Sequence, residues 1–241
     1  MNIARFKKKL SIIILCGGKG LRLRPLTKTQ PKPLIKINDK SILENIIKHF
    51  LNYKIKNFII ATGYKNELID DFIKKKFKKY KFNIQFVDTG LNTMTGGRVK
   101  KLKKYLNNER FMLTYGDGLS NVNLSKLLKH HIASKKIATV TAVHPPARFG
   151  EIIIKSNRVT EFNEKIQSKQ NWINGGFFVF EPEFLNYIKG DQISLEAEPL
   201  TTISKKGLLA AYKHEKFWQC MDTMKDKNYL EELWKKKAPW K

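Results

Sequence analysis

The chain alternates between short runs of apolar residues and longer stretches in which apolar residues recur every three or four positions. The short runs are rich in isoleucine and valine and have the length of buried strands. They are Ser11–Leu15, Asn57–Ala61, Ile84–Val87, Phe111–Tyr115 and Thr139–Val143. The amphipathic stretches between them predict helices at Ser41–Tyr53, Asn66–Tyr80, Gly97–Leu106 and Asn123–Ser134. This rhythm predicts a three-layer α/β fold around a parallel sheet.

The second part of the chain has a different pattern. A hairpin is predicted around Ser156-Asn157, with strands Glu151–Ile154 and Val159–Phe162. Further strands are predicted at Gly175–Phe180 and Leu209–Lys213, and helices at Pro182–Ile188, Leu195–Lys205 and Met224–Lys236. Because no linker, repeat or low-complexity tract divides the chain, residues 1–241 are predicted to form a single domain.

Composition supports a folded protein outside a membrane. Hydrophobic residues make up 41% of the 241 positions, which is enough for a substantial core. No apolar run reaches transmembrane length, and the apolar stretch after Lys9 is too short for a signal peptide. The two cysteines cannot form a disulfide framework or a zinc site, so a reduced, cytoplasmic location is expected.

The net charge of +26 suggests an anionic partner such as a nucleic acid or a membrane. Lysine accounts for 40 of the 47 basic residues, however, whereas nucleic-acid readers favour arginine. The lysines are also scattered along the chain. We therefore expect a solvated basic surface that attracts phosphorylated substrates, with no membrane and no specific nucleic-acid partner.

A glycine-rich loop follows the first predicted strand, at Leu15–Leu23. Glycines let a backbone approach a ligand closely, and their N–H groups can cradle phosphate oxygens. Lys19, Arg22 and Arg24 add positive charge, with Arg22 best placed for a forked phosphate contact. The loop is neither a Walker loop nor a dinucleotide fingerprint, and a plain glycine turn is the alternative.

Pro31-Lys32-Pro33 strengthens the phosphate interpretation. The two prolines stiffen the backbone around one lysine, which could then neutralise phosphate charge without a large entropy loss. A surface lysine on a rigid turn remains the alternative.

Two aspartates far apart in the sequence are the candidate metal ligands. Asp117 lies between two glycines after a predicted strand, and Asp222 follows another. Mg²⁺ typically takes one or two carboxylates together with substrate phosphates. The alternatives are a turn aspartate for Asp117 and a helix N-cap for Asp222. No nucleophile triad is recognisable, which suits a phosphorylated substrate that carries its own ionised nucleophile.

Several motifs, in the same order, resemble the sugar-phosphate nucleotidylyltransferases. The glycine loop followed by Pro31-Lys32-Pro33-Leu34 is similar to the opening of that family. Further blocks resemble its glucose-1-phosphate cytidylyltransferase branch: Val87–Arg98, Thr114–Gly118, Phe149-Gly150, Trp172–Val179, Glu198–Leu200, Phe217–Thr223 and Ala238–Trp240. The match begins near Ser11, so residues 1 to about 9 are expected to be an N-terminal extension.

The resemblance implies a Rossmann-like nucleotidyltransferase fold with a mixed, mostly parallel sheet. It implies that glucose 1-phosphate attacks the α-phosphorus of CTP in line, with Mg²⁺, giving CDP-glucose and pyrophosphate. The first part of the chain would hold the nucleotide and the second the acceptor. A homo-oligomer is a further expectation of the resemblance.

The resemblance also implies roles for individual residues. Catalysis would depend on Arg22, Lys32, Asp117 and Asp222, of which Asp117 and Asp222 would bind the metal. The nucleotide would be bound by Leu15, Cys16, Gly17, Gly18, Lys19, Gly20, Leu21, Arg22, Thr93 and Arg98. The sugar phosphate would contact Lys32, Glu164, Lys165, Asn174 and Gly175.

The chain departs from the family pattern at three places. Leu21 replaces a usual threonine, Cys220 replaces a usual proline, and the segment from Tyr64 to Asp88 is shorter. Two other functions stay open. One is a related transferase that uses UTP, dTTP, GTP or another sugar phosphate. The other is a non-catalytic regulatory or nucleic-acid-binding protein with the same fold.

Overall fold

The computed structural model describes residues 10–146, 150–163 and 171–241. Its strands, in chain order, are β1 Ser11–Leu15, β2 Lys36–Ile37, β3 Lys40–Ser41, β4 Asn57–Thr62, β5 Asn83–Asp88, β6 Phe111–Tyr115, β7 Gly118–Ser120, β8 Ala138–Val143, β9 Glu151–Lys155, β10 Arg158–Asn163, β11 Ile173–Phe180, β12 Leu209–Lys213 and β13 Trp218–Cys220.

The α-helices are α1 Leu26–Thr29, α2 Ile42–Asn52, α3 Asn66–Lys76, α4 Thr95–Lys101, α5 Leu124–Ser134, α6 Glu198–Lys205 and α7 Met224–Lys237. Short 3₁₀ helices cover Leu21–Leu23, Lys32–Leu34, Lys103–Tyr105 and Pro182–Tyr187.

A seven-stranded sheet, in the order β12-β8-β11-β6-β1-β4-β5, forms the centre of the protein. The strand β11 runs antiparallel to both of its neighbours, and the other pairings in this sheet are parallel. The predicted three-layer α/β fold with a mixed, mostly parallel sheet is confirmed. The single-domain assignment stays a prediction.

The central strand β1 separates two hydrophobic cores. Ile12 and Ile14 pack into one core, and Ile13 and Leu15 into the other, because alternate side chains of a strand point to opposite faces. The three isoleucines are fully buried. Burial on this scale contributes about 1.5–3 kcal/mol for each side chain. Strand β1 is thereby fixed, and the glycine loop begins where it ends.

Some predicted helix bounds differ from the structure. The predicted helix from Asn66 ends at Lys76 rather than Tyr80, and the helix predicted from Leu195 begins at Glu198. Pro199 lies in the first turn of that helix, where its missing N–H costs nothing. The predicted helix Gly97–Leu106 begins earlier, at Thr95, and its second half is the 3₁₀ turn at Lys103–Tyr105. The stretch from Pro182 is a 3₁₀ helix.

The predicted hairpin is confirmed. Strands β9 and β10 pair antiparallel around Ser156 and Asn157, whose φ angles of 44° and 62° are positive. Two successive residues with positive φ are typical of the two-residue turn that matches the twist of a hairpin.

Candidate functional site

A cleft of about 730 Å³ lies at the carboxyl ends of the central strands. This edge of an open α/β sheet is where ligands usually bind. All ten predicted nucleotide-binding residues line the cleft, together with Lys32, Asp117 and Asp222. Their roles stay predictions, but the structure brings the four proposed catalytic residues to one place.

The glycine loop turns sharply at Gly20, which has a φ angle of 61°. The Thr27 hydroxyl donates to the Gly20 carbonyl over 3.0 Å and fixes the turn. A Cβ atom at Gly20 would come within 3.0 Å of the Lys32 Cβ. The glycine therefore allows the loop to lie directly against the lysine between the two prolines.

Lys32 lies on the 3₁₀ turn Lys32–Leu34, which begins after Pro31. Its Nζ atom donates to Asp117 Oδ2 and to Asp222 Oδ1, each over 2.6 Å. Arg22 NH1 lies 3.1 Å from the second oxygen of Asp222. The Lys32 side chain is only 12% exposed, so its ammonium group is largely desolvated, unlike that of a surface salt bridge.

The two aspartates converge because β7 and β13 pair antiparallel, with Gly118 opposite Cys220. Asp117 comes directly before β7, and Asp222 lies two residues after the end of β13. The Met221 N–H donates to the Asp117 carbonyl over 2.9 Å and locks the two segments together. A small two-stranded sheet, with three residues in each strand, therefore brings the two carboxylates of the site together.

Asp222 is not the N-cap of the following helix. Thr223 caps α7 in a reciprocal capping box with Asp226. The Asp222 N–H donates to Asp226 Oδ2 over 3.0 Å, so its backbone is held by the cap. The Asp222 carboxylate is left to face the cleft, where it contacts Lys32 and Arg22.

The charges around Lys32 favour a cation between the carboxylates. Burial by itself would lower the pKa of Lys32, but Asp117 and Asp222 outweigh it and the pKa is raised. The same pair of carboxylates fits Mg²⁺, a hard cation that takes one or two carboxylates beside substrate phosphates. No cluster of three or more His, Cys, Asp or Glu ligands occurs among the described residues. Substrate phosphate oxygens and water are the ligands that usually complete such a site.

Arg98 lies beneath the glycine loop and is only 5% exposed. Its guanidinium donates to the carbonyls of Thr62 and Gly17 over 2.8 and 3.2 Å, and to the Thr89 hydroxyl over 2.5 Å. Arg98 is therefore a buried structural cation and not a solvated surface charge. Burial lowers its pKa, while Asp88 and Cys16 act in the opposite direction.

The predicted acceptor residues are only partly covered by the structure. Asn174 and Gly175 lie at the start of β11 and do not line the cleft. The Gly175 carbonyl accepts from Trp218 Nε1 over 2.6 Å, so β13 supports both the predicted acceptor segment and Asp222. Glu164 and Lys165 lie outside the described residues.

A group of polar side chains around Glu196 was not predicted. Tyr115, Thr95 and Ser194 line the cleft, and their hydroxyls all donate to the Glu196 carboxylate. Burial raises the pKa of Tyr115, and Glu196 raises it further. Thr95 lies in the block Val87–Arg98 that resembles the family, so the sequence could have indicated it. Glu196 could not be found in this way, because its contact with Thr95 joins residues about 100 positions apart.

Comparison with known proteins decides the family. The nucleotidyl transferase family model matches residues 11–232. The chain belongs to the nucleotidyl transferase family. The glucose-1-phosphate cytidylyltransferase of Salmonella typhimurium is 40% identical to it, over 96% of this chain and 99% of the relative. A Bacillus subtilis protein assigned the same activity is 36% identical to it, over 93% of this chain and 96% of that protein.

The fold of this nucleotidyltransferase is also found in solved structures. A Bacillus anthracis protein assigned as a glucose-1-phosphate thymidylyltransferase superposes with a TM-score of 0.75. The alignment covers 92% of this chain and 95% of the other at 18% identity, which establishes the fold alone. The resemblance inferred from the motifs and the assignment to an enzyme class are confirmed. Among the described residues, no helix is long and apolar enough to cross a membrane.

Proposed function

We propose that this nucleotidyltransferase transfers the cytidylyl group of CTP to glucose 1-phosphate, giving CDP-glucose and pyrophosphate. The 40% identity to a cytidylyltransferase over nearly the whole chain supports the choice of substrates. The observation that carries the chemistry is the cluster of Lys32, Asp117 and Asp222 beside the glycine loop in one cleft.

The triphosphate of CTP binds the glycine loop. The backbone N–H groups of Gly17, Gly18 and Gly20 are suited to phosphate oxygens, and Arg22 and Lys32 reach the same part of the cleft. Arg22 is 70% exposed, which leaves its guanidinium accessible to the nucleotide. Because the transferred group is anionic, these cations lower the barrier by neutralising charge on the reacting phosphates.

Asp117 and Asp222 would hold Mg²⁺, as the convergence of their carboxylates on one cation indicates. When bound, the metal supplies charge neutralisation for the triphosphate and the departing pyrophosphate. The carboxylates keep their place through the β7–β13 pairing and the Thr223 cap.

The reaction needs positioning rather than a general base. A phosphate oxygen of glucose 1-phosphate forms a bond to the α-phosphorus of CTP, and the bond from that phosphorus to the bridging oxygen breaks. Pyrophosphate leaves with the electron pair. The attacking phosphate is already largely ionised at neutral pH because its second pKa is about 6. Asn174 and Gly175, with Glu164 and Lys165 by resemblance, are proposed to orient the sugar phosphate.

A cytoplasmic location and a homo-oligomer belong to the same proposal. Both cysteines in the described residues, Cys16 and Cys220, are free thiols, which is compatible with a reduced compartment. Size-exclusion chromatography with light scattering would measure the oligomeric state directly.

An activity panel tests the proposal. Purified protein is incubated with Mg²⁺, one of CTP, UTP, dTTP or GTP, and glucose or mannose 1-phosphate, and pyrophosphate release is measured. We expect kcat/KM to be at least about 100-fold higher for CTP with glucose 1-phosphate than for the other pairs. Release with UTP but not with CTP would reject the choice of base and support a related transferase.

A further inference from the structure

The Lys32 ammonium occupies the point between the two proposed metal ligands. It lies 2.6 Å from an oxygen of Asp117 and 2.6 Å from an oxygen of Asp222. Arg22 contacts the remaining oxygen of Asp222 at 3.1 Å. Within the described part of the chain, the protein's own cations Lys32 and Arg22 therefore lie against the two carboxylates.

A metal ion and the ammonium group compete for the same oxygens. Mg²⁺ requires close contact with the carboxylates and would have to displace Lys32 from at least one of them. Lys32 is 12% exposed, so its displaced charge would stay in a poorly solvated part of the cleft. Metal binding by itself is thus opposed by the loss of at least one short ion pair.

The triphosphate changes this balance. Its oxygens offer Lys32 and Arg22 new anionic partners as the carboxylates pass to the metal. Every charge then keeps a partner, because the ion pairs are exchanged rather than broken. The nucleotide likewise needs the metal, since Asp117 and Asp222 would otherwise repel the phosphates.

We propose that Lys32 is an internal competitor for the metal and thereby couples the binding of Mg²⁺ and nucleotide. This inference rests on the proposed function, because it assumes that the glycine loop binds a triphosphate. It adds that the site has low affinity for a divalent cation alone, because Lys32 already occupies the carboxylates. Chelation of the metal by the nucleotide is then not the only reason why the two bind together. In this respect Lys32 acts through Asp117 and Asp222, whose carboxylates it holds until the metal and the nucleotide bind.

Mn²⁺ binding without nucleotide tests the competition. Mn²⁺ is titrated into the full chain and free ion is measured by electron paramagnetic resonance, for wild type, Lys32→Met and Lys32→Gln. Lys19→Met is the matched control, because it removes one lysine charge from the same cleft. All variants are checked by circular dichroism, and two replacements of Lys32 guard against a folding defect in one.

We expect both Lys32 variants to bind Mn²⁺ at least about tenfold more tightly than the Lys19→Met control. Equal affinities in the Lys32 and Lys19 variants would overturn the proposal, because loss of positive charge alone would then explain the change.

A second arm adds a non-hydrolysable CTP analogue, α,β-methylene CTP. In wild type we expect the analogue to tighten Mn²⁺ binding by a larger factor than in the Lys32 variants. If no protein binds the analogue while Lys32→Met still binds Mn²⁺ more tightly, the proposed function fails and the competition stands. If wild type binds the analogue and turns over CTP but the Mn²⁺ affinities do not differ, the competition fails and the proposed function stands.

Discussion

At the residue scale, the partners of a buried charged side chain decide what it does. Arg98 and Lys32 both line the cleft, but their partners differ. Arg98 is bound to the carbonyls of Gly17 and Thr62, so it holds the glycine loop against the ends of β1 and β4. Lys32 is bound to two carboxylates that a ligand can take over. Arg98 is therefore suited to shaping the cleft, and Lys32 is suited to contacts with a bound ligand.

The paired aspartates give the sharpest residue-scale prediction. We expect Asp117→Asn and Asp222→Asn each to lower kcat by at least about a hundredfold, because an amide cannot supply the negative charge that the metal requires. Pyrophosphate release at saturating substrates measures the effect. Asp70→Asn, on the surface helix α3, should keep wild-type turnover. Near-normal turnover in either site variant would remove that aspartate from the mechanism.

His49 gives a prediction for the pH dependence of stability. Burial lowers its pKa from 6.5 to about 4, a Val122 carbonyl contact opposes this, and His214 adds to it. The unfolded chain therefore binds a proton at His49 more tightly than the folded chain does. The contribution of the neutral, buried imidazole to stability is present above pH 6.5 and is lost as the pH falls towards 4. At about pH 5 the loss is about 2 kcal/mol.

Urea unfolding at pH 8 and pH 5 measures this loss. His49→Gln should lose less stability between the two pH values than wild type, because it has no imidazole to protonate. His130→Gln removes an exposed histidine and should behave as wild type. Equal pH dependence in wild type and His49→Gln would contradict the prediction.

At the scale of elements, the small β7–β13 sheet does more for the site than its size suggests. It pairs Gly118 with Cys220 and so brings Asp117 and Asp222 together. Cys220, which replaces the usual proline, lies within this pairing, and the strand is kept. Trp218 of β13 also holds the Gly175 carbonyl, so one short strand supports both the proposed metal ligands and the proposed acceptor segment.

The helix that follows this sheet gives the element-scale prediction. Thr223→Ala removes the side-chain half of the capping box of α7 and should lower the free energy of unfolding by about 1 kcal/mol. Urea denaturation measures the change. Thr201→Ala, at an exposed position within α6, should change stability by less than about 0.5 kcal/mol. A similar loss in both variants would show that the cap is not the cause.

At the scale of the whole molecule, the net charge is +26, and lysine supplies 40 of the 47 basic residues. Lys74, Lys75 and Lys76, for example, all lie in the last turn of α3. Such a surface creates a field that attracts anions in general, and this includes phosphorylated substrates. We expect it to provide no specific readout of a nucleic acid.

This distribution predicts salt-sensitive binding of RNA. We expect the affinity for a single-stranded RNA to fall at least about 1000-fold between about 50 mM and about 200 mM salt, because counterion release drives the binding. Fluorescence anisotropy with a labelled oligonucleotide measures it. Tight binding that persists at about 200 mM salt, in a protein with no turnover, would instead support the alternative of a nucleic-acid-binding protein.

The sequence by itself determined the features that depend on neighbouring residues. The apolar runs specified the strands, the glycines and the Pro31-Lys32-Pro33 turn specified the loop beside the cleft, and Ser156-Asn157 specified the hairpin. Local side-chain periodicity and backbone restriction act over a few residues, so they can be read along the chain.

The tertiary structure alone decided how those features meet. The bonds from Lys32 to Asp117 and Asp222 join residues 85 and 190 positions apart, and the Arg98 contact with Gly17 spans 81. The first two contacts depend on the β7–β13 pairing, and the third on the burial of Arg98 beneath the loop. Packing across the whole sheet sets these distances, and no local pattern encodes them.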